Sequence, residues 1–384
     1  MLILFLVLLL AFVLCYSYND RTNNVQTNNV AHRKYIIAMM IILILQSGLR
    51  SVAVGADTFQ YYTHFENAVE SSWHELWNDF LYFIRGQGGK DPGYALFQKV
   101  FATILPSYRF YLLFVASLFF YSIGNLFVRY TRSNYEVLVA IALYQCLYYS
   151  FFSITGLRQT VATSFLLLSV PYIIDRDWKK FLLFLLIAGS QHKSSLIFAV
   201  FYLLPLLKNS KTCTIGAFAL FVPVWIFGGP IATALLMGTA FDQYIGYLDQ
   251  DETTGAYNFA AFILATGLLM LSKNKKISAL SEANYVFVNS VSLAIFLTPL
   301  AMLCPSNMRI IQYFSIFTLI ILPTICTVLS QGGFAKKKIF IYAALVLSAY
   351  ALYRSQPYAF FSQDMRLSDQ FEGYVINDNM LKYR

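Results

Sequence analysis

Arg158 lies in the stretch "FSITGLRQTVATS" (151–163) and is the only formally charged residue between Glu136 and Asp175. Leu, Tyr, Phe and Val dominate around it, so a guanidinium charged at any physiological pH stands in an apolar run. Three other segments carry comparably isolated polar groups: "GADTFQYYTHF" (55–65), "SQHKSS" (190–195) and "PSNMRIIQYF" (305–314). At helical spacing, Asp57, Tyr61 and His64 share a face, as do His192 with Ser195 and Arg309 with Tyr313. Two guanidiniums, an imidazole and a carboxylate at one membrane depth suit a phosphate-bearing group. The guanidinium fork grips phosphate oxygens in pairs, and partial shielding from water strengthens that attraction. In a bilayer the natural candidate is a lipid-linked diphosphate.

Plainer roles compete with each assignment. A span-end arginine can snorkel to headgroup phosphates, and Lys193 can do the same. His192 could hydrogen-bond a helix terminus, and Asp57 could cap a helix after Gly55. It is the joint occurrence on one side of a charge-poor chain that favours a site.

The elements that must position these groups follow from composition. The chain is 58% hydrophobic and 12% charged, with a mean hydropathy of +0.58. Soluble domains are about 45–50% apolar and about 25% charged. Apolar runs of about 18 residues or more recur, which implies membrane-spanning helices rather than a barrel. The net charge of +9 comes from short connections and forms no basic stripe, which argues against nucleic acid as a partner. Cys15, Cys146, Cys213, Cys304 and Cys326 have no close-set pairs and read as packing residues, with neither a disulfide framework nor a metal site expected. The opening "MLILFLVLLLAFVLCYSYNDR" lacks a basic leading region and a cleavage signature, so it reads as a retained first span.

Hydropathy predicts an all-α polytopic membrane protein of about 12 transmembrane helices, near 1–17, 35–54, 108–128, 136–154, 158–174, 180–190, 194–207, 213–237, 258–272, 284–303, 309–330 and 338–353. Sixteen of the 28 basic residues fall in the odd-to-even connections, which places those connections in the cytoplasm and both termini outside. Arg158, Lys193 and Arg309 are the exceptions, standing at external ends of spans. The chain 1–384 thus reads as one membrane domain with external loops at about 55–107 and 239–257 and an external tail at about 354–384. In the first loop Trp73, Leu76, Trp77, Phe80 and Ile84 line one face of an amphipathic helix suited to the headgroup region.

The segments "GLRSVAVGADTFQYYTHF" (48–65), "DPGYALFQKV" (91–100), "ITGLRQTVATSFLLLSV" (154–170), "IAGSQHKSSLIFAVFYLLP" (187–205) and "NMRIIQYF" (307–314) resemble the EpsG family of Wzy-like bacterial polysaccharide polymerases. Arg50, Gly55, Asp57, Tyr61, Arg158, Gln159, His192, Ser194 and Arg309 carry the likeness. The resemblance implies an enzyme of the inner membrane that joins undecaprenyl-diphosphate-linked oligosaccharide repeats at the outer face. Nothing in the sequence calls for a cofactor or metal, since arginine alone can neutralise the leaving group, and a chain-length regulator would be a further partner. Arg158, His192, Arg309 and Asp57 would then be catalytic: the arginines hold diphosphate, and His192 or Asp57 acts as base or orienting group. Arg50, Tyr61, Gln159, Ser194 and Tyr313 would bind substrate. A flippase for the same lipid and a ligase that transfers finished glycan remain the alternatives.

Overall fold

The computed structural model describes residues 1–18, 25–51, 54, 57–85, 91–236, 254–303, 307–331, 337–355, 358 and 360. Gly55, Cys304, most of the 239–257 loop and nearly all of the 354–384 tail lie outside the described residues. One isolated bridge, Arg50 to Phe360, is the sole extended pairing among the described residues.

The remaining elements are helices: α1 (Leu2–Ser17), α2 (Val25–Gly48), α3 (Thr58–Glu70), α4 (Trp73–Ile84), α5 (Pro92–Ile104), α6 (Tyr108–Tyr130), α7 (Asn134–Leu143), α8 (Leu157–Ile174) and α9 (Trp178–Gln191). After these come α10 (Ser210–Leu236), α11 (Thr254–Leu280), α12 (Glu282–Leu303), α13 (Met308–Ser315), α14 (Thr318–Ser330) and α15 (Lys338–Tyr353). A π-helical stretch, Tyr144–Thr155, continues α7, and a 3₁₀ stretch, Lys193–Leu206, follows α9.

The all-α membrane architecture is borne out, and each of the twelve expected segments overlaps a helix among the described residues. The count of full spans differs. Among the described residues seven helices are long and apolar enough to cross a bilayer, or eight if α13 and α14, bent by 45°, make one span. The shortfall is one of length. A 16-residue α-helix such as α1 or α15 rises about 24 Å, short of a hydrocarbon core of about 30 Å. Periodicity cannot distinguish a full span from such a shorter helix. The 14-residue 3₁₀ stretch gains reach from its larger rise, about 28 Å in all.

The lysine-rich end of the bundle is tied by side chains. His32 bridges Asn134 and Thr131 at 2.9 and 3.1 Å, and Asn134 donates to the Tyr18 carbonyl at 3.1 Å. Buried Glu136 pairs with Arg132 at 3.6 Å and accepts from Thr327 on α14. With that end closed by its own network, the residues singled out in the sequence gather at the opposite end.

There α3, α4 and α5 form a cap against α6 and α9. Tyr61, Phe65, Tyr94, Tyr108 and Tyr111 make its apolar core. The Lys99 ammonium donates to the carbonyls of Val69 and Ser71 at 3.2 and 2.6 Å, fixing the corner between α3 and α4. Ser72 and Glu75 cap α4 reciprocally, each side chain meeting the other's main-chain N–H. The amphipathic helix expected here is present as Trp73–Ile84, with Trp73 and Trp77 about half exposed at 49% and 58%.

Candidate functional site

The turn that carries Arg158 is built by local hydrogen bonds. The π-helical stretch ends at Gly156, and α8 begins at Leu157. The Thr160 hydroxyl donates back to the carbonyls of Phe152 (2.7 Å) and Gly156 (3.0 Å), supplying partners for carbonyls at the break. Behind the turn, Arg50 donates to the Ser47 carbonyl (2.7 Å), at the end of α2, and to the Ile154 carbonyl (3.2 Å). Arg50 therefore joins two helix ends and holds the backbone that presents Arg158. At 1% exposure it lies behind the site rather than in its mouth. Arg50→Ala would leave both carbonyls without this donor and a void where the side chain stood. We expect destabilisation of about 2–5 kcal/mol, read as a lowered Tm in detergent.

The centre of the site is Asp91, which opens the segment 91–100 that carries part of the family resemblance but was not among the expected site residues. Its Oδ2 meets Arg158 Nη1 at 3.2 Å and His192 Nδ1 at 3.1 Å, and its Oδ1 accepts the Lys193 main-chain N–H at 3.0 Å. The carboxylate is buried, while Arg158 and His192 keep a quarter and a sixth of their side-chain surface open. Burial would push the Asp91 carboxyl up. The His192 hydrogen bond and charge, the Lys193 amide and the Arg158 charge outweigh that, and it lies below the usual carboxylate range. Asp91 is thus an anion at neutral pH.

Three elements must converge for this. Asp91 precedes α5, His192 separates α9 from the 3₁₀ stretch, and Arg158 opens α8. Gly93 sets the approach of α5 to α9: a Cβ there would lie 2.5–2.6 Å from the side chain and carbonyl of Ser190, closer than atoms can sit. A larger residue at 93 would push Asp91 away from His192.

The other sequence-predicted residues take distinct places. Arg158 stands 5.9 Å from the centroid of the Tyr61 ring, which is itself edge-on to Tyr94. Gln159 donates its amide to the Arg309 carbonyl at 2.5 Å, so the two arginine-bearing segments are joined through the backbone. Arg309 and Asp57 form a separate, exposed pair at 3.9 Å. Asp57 precedes α3, but its side chain makes no cap hydrogen bond to that helix. Ser194 and Tyr313 share a hydrogen bond at 3.1 Å, fastening the 3₁₀ stretch to α13. Arg158, His192, Tyr61 and Asp91 therefore make one cluster, Arg309 and Asp57 make a second, and Gln159 links them.

Chemically, the first cluster offers a guanidinium, an imidazole oriented by a carboxylate, and a main-chain N–H. The Asp91 contact holds the proton on Nδ1 of His192 and leaves Nε2 as the basic nitrogen. Among the described residues no group of three His, Cys, Asp or Glu side chains is placed to hold a metal ion. The local signal for Asp91 was "DPG" (91–93), which reads equally well as a turn or a helix start.

No curated protein and no solved structure matches the chain. The EpsG family matches residues 33–363, a range containing every residue of both clusters. The chain belongs to the EpsG family and is a membrane protein of polysaccharide biosynthesis.

Proposed function

We propose that this protein is a glycosyl-transferring polymerase of the inner membrane. It joins undecaprenyl-diphosphate-linked oligosaccharide repeats at the outer face, the side on which the scarcity of lysine and arginine places Arg158 and His192. The observation that carries this reading is the shared Asp91 oxygen, which brings a diphosphate-binding cation and an oriented base within one carboxylate of each other.

The bond from the donor sugar C1 to the diphosphate oxygen breaks, and its electron pair leaves with the lipid diphosphate. Arg158 stabilises that charge, with Arg309 as the second cation at the mouth. A hydroxyl oxygen of the acceptor repeat bonds to C1, and its proton passes to His192 Nε2. Asp91 keeps the imidazole in the required tautomer and balances the imidazolium that forms. Tyr61 shapes the wall beside Arg158, and Gln159 and the Ser194–Tyr313 pair hold the segments in register.

Two outcomes would displace this reading in favour of another. A null strain is expected to accumulate single repeats on the outer leaflet. Repeats trapped facing the cytoplasm would identify a flippase, and long lipid-linked polymer left unattached would identify a ligase.

Gly93→Ala supplies a geometric check within the same assay. By pushing α5 off Ser190 it should shift Asp91 by about an ångström and lower polymer yield about 100-fold, with membrane levels retained. Wild-type yield from that variant would show that the spacing between α5 and α9 is immaterial to turnover.

A further inference from the structure

We propose that the Asp91 carboxylate occupies the anion subsite of the lipid diphosphate, and that substrate binding displaces it from Arg158 and the Lys193 amide while its contact with His192 is kept. Which anion displaces it rests on the polymerase reading; that the carboxylate is a removable occupant rests on its own geometry.

Three donors from two separate elements converge on the two Asp91 oxygens: the Arg158 guanidinium, the His192 imidazole and the Lys193 main-chain N–H. A guanidinium, an imidazole and a backbone amide are the donors that bind phosphate oxygens elsewhere. Ser195, two residues past Lys193 in the chain, carries a fully buried hydroxyl with no hydrogen-bond partner among the described residues.

Asp91 also behaves as an occupant rather than as part of its own helix. It sits at the N-terminal boundary of α5, where an aspartate ordinarily accepts from the first-turn amides, yet it makes no such bond. Its backbone is left-handed, with φ 48° and ψ 60°, immediately before Pro92. Both the side chain's Cβ and the following proline disfavour that conformation, so the contacts of the carboxylate hold it there. Release of the carboxylate relieves the strain. The phosphate then takes Arg158 and the Lys193 amide, while the carboxylate stays on His192 Nδ1.

A positioning carboxylate and a displaceable one make opposite predictions for binding. If Asp91 only positioned Arg158 and His192, removing it would weaken anion binding. As an occupant that fills the subsite in about nine-tenths of molecules, its removal tightens binding about tenfold.

The experiment measures the affinity of the purified full chain in detergent for inorganic pyrophosphate and for undecaprenyl diphosphate, in the wild type, Asp91→Ala, Asp91→Asn and Arg158→Ala. Tighter binding in Asp91→Ala, a smaller gain in Asp91→Asn and loss in Arg158→Ala are expected. Polymer yield should fall in both Asp91 variants, because His192 loses its orienting partner; binding and turnover thus move in opposite directions. Unchanged or weaker binding in a folded Asp91→Asn protein overturns the proposal and leaves the polymerase reading intact. Tighter binding in a protein that forms no polymer from any repeat upholds the displaceable carboxylate and sinks the polymerase reading.

Discussion

Replacing Arg158 with alanine is expected to abolish long-chain polymer while single repeats and membrane levels of the protein persist. Arg158 reaches the Asp91 carboxylate and flanks the Tyr61 ring, and a quarter of its side chain remains open to an incoming group. Removing one preorganised donor to a developing oxyanion costs about 100- to 1,000-fold in rate. Here the variant also leaves the buried Asp91 charge without its guanidinium partner, which adds to the loss. Arg158→Lys separates charge from geometry. An ammonium keeps the positive charge but cannot grip two oxygens with a planar fork, so it should restore little activity. Full recovery in the lysine variant would mean that Arg158 serves as a simple charge anchor.

His192→Gln is expected to reduce turnover by about 100- to 10,000-fold, the range for loss of a general base. Glutamine can donate to Asp91 in place of Nδ1 but cannot accept the acceptor hydroxyl's proton. The loss should therefore appear in kcat, with KM for the lipid-linked repeat little changed. A rise in KM at constant kcat would instead make His192 a binding residue and shift the base to Asp57. The geometry disfavours that shift: Asp57 pairs with Arg309 at 3.9 Å in an exposed contact, apart from the Arg158, His192 and Asp91 cluster.

Arg158 and His192 stood out in the sequence because charge is scarce around them. Asp91 did not, because "DPG" carries only a turn signal and its partners lie 67 and 101 residues away. Such pairings are made by tertiary packing, here by the close approach of Gly93 to Ser190, and leave no local periodicity. Arg50 shows the converse. Its residue type suggests a binding role, but only the fold reveals that two helix-end carbonyls already use it. The apolar segments were legible as helices, whereas the π and 3₁₀ stretches and the bend between α13 and α14 were not. Hydropathy reports how apolar a run is, not how its backbone winds.

The most direct measurement is incubation of the purified chain with a defined undecaprenyl-diphosphate-linked repeat, with products separated on a gel. A ladder spaced by one repeat unit, lost in Arg158→Ala and His192→Gln, is the result expected. A folded, wild-type protein that binds the repeat yet leaves every molecule at one unit would contradict the account.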